Sequence, residues 1–401
     1  MTHVMNTYKR LPVALERGRG CWVWDKQGKR YLDALAGIAV CGLGHSHPKL
    51  VQAITEQAGK LIHTSNLYEI ERQEQLADRL AAISGMDEVF FCNSGCEANE
   101  AAIKIARLYG HGKGIEVPAI IVMEKAFHGR TIATLSATGS RKVQAGFEPL
   151  VPGFVRVPFD DLAAVRKVAD HNRNVVAVLV ELIQGEGGIN ICSADYLHGL
   201  RAICDDYRWL LMLDEVQSGT GRTGKWFAFQ HSGVRPDVMT LAKGLASGVP
   251  IGTCLAAGPA AGMFKPGNHG STFGGNPLAC TAALATLDII AGENLMANAT
   301  AMGDFIRDGF RTRLEGVAGV REIRGKGLMI GIELEHPCDE LVEHALEAGL
   351  LINVTDDDVI RLLPPLPIKR DEAELLVATL TPLITDFLAR SHAAQPATQT
   401  A

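Results

Sequence analysis

Lys243 stands in Pro-Asp-Val-Met-Thr-Leu-Ala-Lys-Gly, residues 236–244, and Asp214 ends the run Trp-Leu-Leu-Met-Leu-Asp, residues 209–214. A lysine at the end of an apolar strand can attack a carbonyl carbon once burial or a neighbouring cation has stripped its proton. An acid that follows four apolar residues belongs at the C-terminal end of a buried strand, the edge at which open α/β sheets bind ligands. There its carboxylate can hold a protonated ring nitrogen. An imine-forming lysine and an acid for a pyridinium nitrogen are together what pyridoxal phosphate chemistry requires.

Two further stretches suit the same ligand. Asn93-Ser94-Gly95-Cys96-Glu97 follows a short apolar run at 89–92. A Ser-Gly turn that opens a helix exposes backbone N–H groups and a hydroxyl, which suit a phosphate; Ser94 would serve equally as an N-cap. In Ala126-Phe127-His128-Gly129-Arg130-Thr131, the Phe127 ring can stack on a planar cofactor and Arg130 can hold a carboxylate through two parallel hydrogen bonds. His128 reads as a structural side chain. Gly219-Thr220-Gly221-Arg222-Thr223-Gly224 satisfies the dinucleotide spacing, but Asp214 and Glu215 would crowd a pyrophosphate and no clear helix opens behind it. His45 and His47, two apart in a loop beside Pro48 and with no acid near them in the sequence, read as structural, so no metal site is expected.

The apolar pattern supplies a frame for these residues. Strands are expected over 89–92, 119–123, 175–182, 210–213, 238–242 and 253–257, and helices over 97–109, 194–207 and 276–290. Residues 175–182 are apolar apart from Glu181, which suits a strand covered on both faces. This alternation implies an α/β fold with a mostly parallel central sheet flanked by helices. Ahead of it, the chain reads as irregular up to Gly20, then as two short strands around a turn at Gln27-Gly28. Pro48 suits the first turn of a helix, and 69–83 an amphipathic helix with Leu76, Leu80 and Ile83 on one face. Beyond it, helices over 299–314, 341–348 and 372–389 with extended pieces in 321–335 and 359–363 form a smaller α+β lobe, which the N-terminal segment joins. The expected division is 1–55 for the N-terminal part of the small lobe, 56–294 for the large ligand-binding domain, 295–390 for the C-terminal small domain and 391–401 for a polar, disordered tail.

Composition narrows the function. At 401 residues, 47% of them apolar, the chain exceeds one simple core. A net charge of −6 argues against nucleic acid or a membrane surface as partner. Its apolar runs fall short of the roughly 20 residues that span a bilayer. The nine cysteines form no Cys-x-x-Cys pair, which reads as reduced thiols in a cytosol. No basic stretch followed by an apolar run marks a signal peptide at the N-terminus.

These motifs, with Gly44-His45-Ser46-His47-Pro48, Gln184-Gly185-Glu186-Gly187-Gly188 and Ser271-Thr272-Phe273-Gly274-Gly275-Asn276-Pro277, resemble the class III aminotransferases of the ornithine/acetylornithine type, in the family's order from about residue 8 to 389. The resemblance implies a fold-type I enzyme dependent on pyridoxal 5'-phosphate. By it, Lys243 would be the Schiff-base lysine and proton shuttle, and Asp214 the partner of the pyridinium nitrogen. Gln217 would lie near the phenolate oxygen and Phe127 would stack on the ring. Gly95 and Cys96 would bind phosphate through their N–H groups, assisted by Ser94. Thr272 would reach the phosphate of a partner subunit, making a homodimer with shared sites. Cys96 departs from the small residue common at its position, though its backbone role survives.

For substrates, the resemblance assigns Arg361, in Ile-Arg-Leu-Leu-Pro-Pro-Leu, to the α-carboxylate of 2-oxoglutarate, and Glu186 to an ion pair with Arg361 while the amino donor is bound. Arg130 would hold the α-carboxylate of N2-acetyl-L-ornithine, with Ser65 and Asn66 near its acyl end. The reaction implied moves the donor's δ-amine to 2-oxoglutarate, as in arginine biosynthesis. Succinylornithine, ornithine δ- and 4-aminobutyrate transamination share the same central residues and stay open. So does a decarboxylase or racemase using the same cofactor, or a binding protein that has lost the chemistry.

Overall fold

Val175–Val180 is a strand because six consecutive apolar residues, four of them valine, are all buried between helices. It pairs in parallel with Leu210–Asp214 on one side and Ala119–Met123 on the other, both buried at every position. The computed structural model, which describes residues 3–393, extends these three into a seven-stranded sheet. Its order is Glu88–Cys92, Gly252–Ala256, Val238–Leu241, Leu210–Asp214, Val175–Val180, Ala119–Met123, Phe154–Val157. Gly252–Ala256 runs antiparallel to both neighbours and the other six share one direction. The sheet is therefore mostly parallel, as expected.

Helices cover both faces. Ala101, Ala102, Ile105 and Ala106 of Gly95–Gly112 pack on Ile120, Val176 and Met212, while Leu197, Leu200 and Ile203 of Ala194–Tyr207 join the opposite core with Ile121, Val178 and Leu211. A second four-stranded sheet, Val320–Lys326, Met329–Leu334, Val359–Leu362 and Asn353–Thr355, belongs to the smaller lobe and carries Arg361. A third sheet joins the two ends of the chain, since Leu350–Leu351 pairs in parallel with Arg30–Asp33.

Several expectations need correction. Leu15–Arg19, in the arm read as irregular, is a strand: its sequence is polar and mostly exposed, and pairing with Trp22–Asp25 imposes the extended form. The strand expected to reach 182 stops at Val180, because Ile183–Gln184 turns aside to pair with Asn190–Ile191. Helices Ile132–Ala137 and Leu162–His171 and the strand Phe154–Val157 lie in a stretch for which the pattern gave no elements. The helix expected from 299 starts at Leu295, after Asn294 takes a left-handed conformation (φ 52°) and separates it from Pro277–Gly292. The last helix, Arg370–Ala393, continues through residues 391–393, which were expected in the tail; residues 394–401 lie outside those described. All nine cysteines are unpaired, and among the described residues no single helix is long and apolar enough to cross a membrane.

Candidate active site

Four strands of the parallel sheet deliver a polar group at or just beyond their C-terminal ends. Asp214 is the last residue of its strand, Glu181 follows Val180, Ser94 lies two residues beyond Cys92, and Lys243 two beyond Leu241. These residues line a cavity of about 400 Å³, with Phe127, Arg130, Gln217 and Glu186 on its walls.

The start of the helix Gly95–Gly112 forms one end. Ser94 Oγ accepts from Glu97 N at 3.2 Å and Glu97 reaches back to Asn93 N at 2.7 Å. Those bonds satisfy one donor before the turn and one within it, and leave the N–H groups of Gly95 and Cys96 at the positive end of an 18-residue helix. A Cβ on Gly95 would lie 2.7 Å from Val216 Cγ1, so glycine lets this turn approach the floor of the cavity. The Cys96 thiol points away from the helix end and accepts the N–H groups of Arg130 (3.1 Å) and Thr131 (3.3 Å), binding the 126–131 loop to the turn.

Asp214 is buried and its orientation is fixed on all sides. Oδ1 accepts from Val216 N at 3.0 Å; Oδ2 accepts from Asn99 Nδ2 at 2.7 Å and contacts His128 Nδ1 at 2.8 Å. Asn99 is itself held by the Thr240 hydroxyl at 2.8 Å. Lys243 faces the cavity with its backbone in the left-handed region, φ 44°, a conformation that costs on the order of 1–3 kcal/mol outside glycine. Burial pushes its amine below the ordinary lysine range; Arg361 adds to this, while Glu186, Asp214 and Glu181 oppose it.

Arg361 is fully buried and lies behind the wall. Nη1 donates to Glu186 Oε1 (2.6 Å) and to Gly185 O (2.9 Å), and Nε donates to Asn353 Oδ1 (3.1 Å). Nη2 has no hydrogen-bond partner among the described residues. Burial alone would raise the Glu186 acid, but the charge and hydrogen bonds of Arg361 outweigh it and hold the acid below its usual range. Arg130 is exposed at the mouth, its guanidinium 5.6 Å from the centre of the Phe127 ring.

Three expected site residues do not reach this cavity. Ser65, Asn66 and Thr272 are exposed, and Asn66 Nδ2 is spent on the carbonyls of Ser271 (3.0 Å) and Gly274 (3.1 Å). They lie beside the exposed side chains of Leu67, Tyr68 and Phe273 in the chain. The fold also supplies the acids that His45 and His47 lack in sequence: Asp33 at 2.7 Å and Glu293 at 3.4 Å. The 219–224 segment forms turns, with Arg222 buried against the carbonyls of Leu328 and Pro364, and only a single 3-10 turn, Ala228–His231, follows it rather than an α-helix.

The profile of the family described as Aminotransferase class-III matches residues 4–384. The chain belongs to the class III aminotransferases. Among relatives of this class III chain, the acetylornithine aminotransferase of Nitrosomonas europaea is 66% identical over 97% of this chain and 99% of its own length. That of Methanocaldococcus jannaschii is 48% identical over 96% of each. Among solved structures, the Toxoplasma gondii ornithine aminotransferase, described with partial occupancy of PLP at its active site, superposes with a TM-score of 0.92 at 35% identity, covering 98% of this chain and 93% of that one. The N-acetylornithine aminotransferase of Stenotrophomonas maltophilia K279a gives 0.83 at 38% identity, covering 96% and 98%.

For a class III aminotransferase, the sequence reading omitted two side chains that the fold brings to the centre. Asn99 lies one turn into the helix Gly95–Gly112, where nothing in the sequence singles it out; Glu181 did carry a signal, as the one charge in the apolar run 175–182. His128, read as structural, is buried against Asp214 and belongs to the same network.

Proposed function

We propose that the chain is an acetylornithine aminotransferase of arginine biosynthesis, moving the δ-amine of N2-acetyl-L-ornithine to 2-oxoglutarate in two alternating half-reactions. The observation that carries the choice of donor is the 66% identity with the Nitrosomonas europaea enzyme over nearly the full length of both chains. The residues present fit pyridoxal 5'-phosphate: a helix start with free N–H groups, a glycine that admits no Cβ, an oriented buried acid and a lysine with a weakened hold on its proton. When bound, that cofactor supplies an aldehyde that exchanges amino groups and a ring that accepts electrons.

The chain's own residues do the rest. Asp214, fixed by His128 and Asn99, would hold a proton on the ring nitrogen. Ser94, Gly95 and Cys96 would hold the phosphate, and Phe127 and Gln217 would pack against the ring. Lys243 Nζ would take the proton that leaves the donor δ-carbon and pass it to the cofactor within the same half-reaction; in the second half-reaction it would move a proton the opposite way, onto the α-carbon that 2-oxoglutarate supplies. Arg130 holds the α-carboxylate of the donor. With Glu186 paired to Arg361, the pocket accepts an uncharged carbon chain; with Glu186 turned aside, Arg361 offers its fork to 2-oxoglutarate.

The same reading includes a homodimer in the cytosol. Ser65, Asn66 and Thr272 then serve the partner's cavity, which the exposure of Leu67 (86%) and Phe273 (61%) beside them supports. Nine unpaired thiols support a reducing compartment. The division at about residues 55 and 294 belongs to this reading too, supported by the pairing of the Arg30–Asp33 and Leu350–Leu351 strands.

Ornithine is the second candidate donor, favoured by the likeness to the Toxoplasma gondii enzyme. Mixing cofactor-loaded protein with each amine and no keto acid tests the choice. N2-acetylornithine should convert the absorbance of the aldehyde form to that of the amine form faster than ornithine at equal concentration. Faster conversion by ornithine, or none by the acetylated amine, overturns the assignment.

A further inference from the structure

Glu181 touches both halves of the site, and we infer that it is a positioning residue whose ionised carboxylate keeps the Phe127 loop and the 184–186 gate in register. The inference deepens the function proposed above and rests on it.

Glu181 is 5% exposed and follows directly on the central strand Val175–Val180. Oε1 accepts from Phe127 N at 2.8 Å and Oε2 from Gly185 N at 3.1 Å. The first bond fixes the loop whose next residue, His128, contacts Asp214. The second fixes Gly185, the residue before Glu186. The Gly185 carbonyl accepts from Arg361 Nη1, and a Cβ on Gly185 would lie 2.4 Å from the Gln217 amide. Gly185 is therefore held at both its N–H and its carbonyl, and cannot turn without disturbing both the guanidinium and the glutamine. One carboxylate thus joins the cofactor face to the gate over Arg361.

The grip needs two acceptors. An ionised carboxylate offers one at each oxygen; a protonated acid turns one oxygen into a donor, which faces an N–H unfavourably. Burial pushes the Glu181 acid up to about 7, and Asp214 adds to it, while His128 and the two N–H groups oppose. Lys243 is the other charge that faces it. Protonation should loosen both loops together.

Amide hydrogen exchange on the full-length, cofactor-loaded protein tests this, with rates corrected for intrinsic exchange at each pH. Between about pH 8 and about pH 6, protection at Phe127 and Gly185 should fall in parallel, by roughly tenfold. Glu181→Gln should show the low value at both pH values. It should raise the KM for 2-oxoglutarate about tenfold with a smaller change in kcat. Glu181→Asp, which keeps the charge, should recover part of the protection.

Flat or unlinked protection in the wild type would overturn the inference, and this series decides alone if the variants fail to fold. A pH dependence that persists in Glu181→Gln would overturn it too, because another group would then be its source. Failure of the wild type to use N2-acetylornithine would sink the proposed function and leave the exchange result standing.

Discussion

Arg361 uses one terminal nitrogen on Glu186 and Gly185 while the other, equally shielded from solvent, has no acceptor among the described residues. A buried guanidinium left half-satisfied costs on the order of 1–3 kcal/mol, which an arriving carboxylate would recover. The arrangement stores part of the affinity for a dicarboxylate in the pocket itself.

Arg361→Lys keeps the charge and loses the planar fork. We expect the KM for 2-oxoglutarate to rise about 10- to 100-fold, with the acetylornithine half-reaction far less affected. Stopped-flow absorbance of the two half-reactions separates them. Equal losses with both substrates would count against a role confined to the acceptor.

Gly95→Ala places a methyl group 2.7 Å from Val216. We expect the affinity for pyridoxal 5'-phosphate to fall about tenfold or more, as the helix start is pushed from its phosphate. Adding Val216→Ala should restore much of the loss, because the clash partner is then gone. Cofactor dissociation constants for the two single variants and the double variant give the answer, and simple additivity would refute the steric account.

The lowered pKa of Lys243 has a definite sign. The neutral amine is the nucleophile, so the rate at which cofactor-free protein takes up the aldehyde should rise with pH through a midpoint below the ordinary lysine value. In the same window the unfolded chain binds the proton that the folded chain refuses, so the stability of the cofactor-free protein also rises with pH. Lys243→Met should abolish transamination and flatten that rise, as thermal melts at several pH values would reveal. An unchanged pH dependence in the variant would assign it elsewhere.

Removing His128 leaves the second oxygen of Asp214 to Asn99 alone. For His128→Ala we expect kcat to fall about 10- to 100-fold with little change in either KM, since the loss concerns charge on the ring rather than substrate contact. His128→Asn, able to donate one hydrogen bond, should lie between. A change in KM alone would contradict this.

Much of this was legible in the chain. The runs ending at Asp214 and near Lys243 are apolar because the strands are buried on both faces, and burial on both faces is what places their ends at the ligand edge. The roles of Asn99 and Glu181 were not legible, although Glu181 stood out as the one charge in an apolar run: Asn99 gains its role only when its helix packs over the strand ending at Asp214, and Glu181 only when two loops close on it. The strand Leu15–Arg19 was hidden because its extended form comes from a partner strand rather than from its own residues. Ser65, Asn66 and Thr272 show the converse, as motif residues that this chain does not bring to its own cavity.

The reversed strand Gly252–Ala256 bears on synthesis. It lies between Glu88–Cys92 and Val238–Leu241, so the strand that leads into the Ser94-Gly95 turn has no sheet neighbour until residues far downstream arrive. A ribosome-bound chain halted before Gly252 would hold the strands from Phe154–Val157 to Val238–Leu241 without closure, leaving an uncovered edge open to pairing with other chains. On this topology the central sheet, and with it the cavity at its edge, closes only once Gly252–Ala256 has been made.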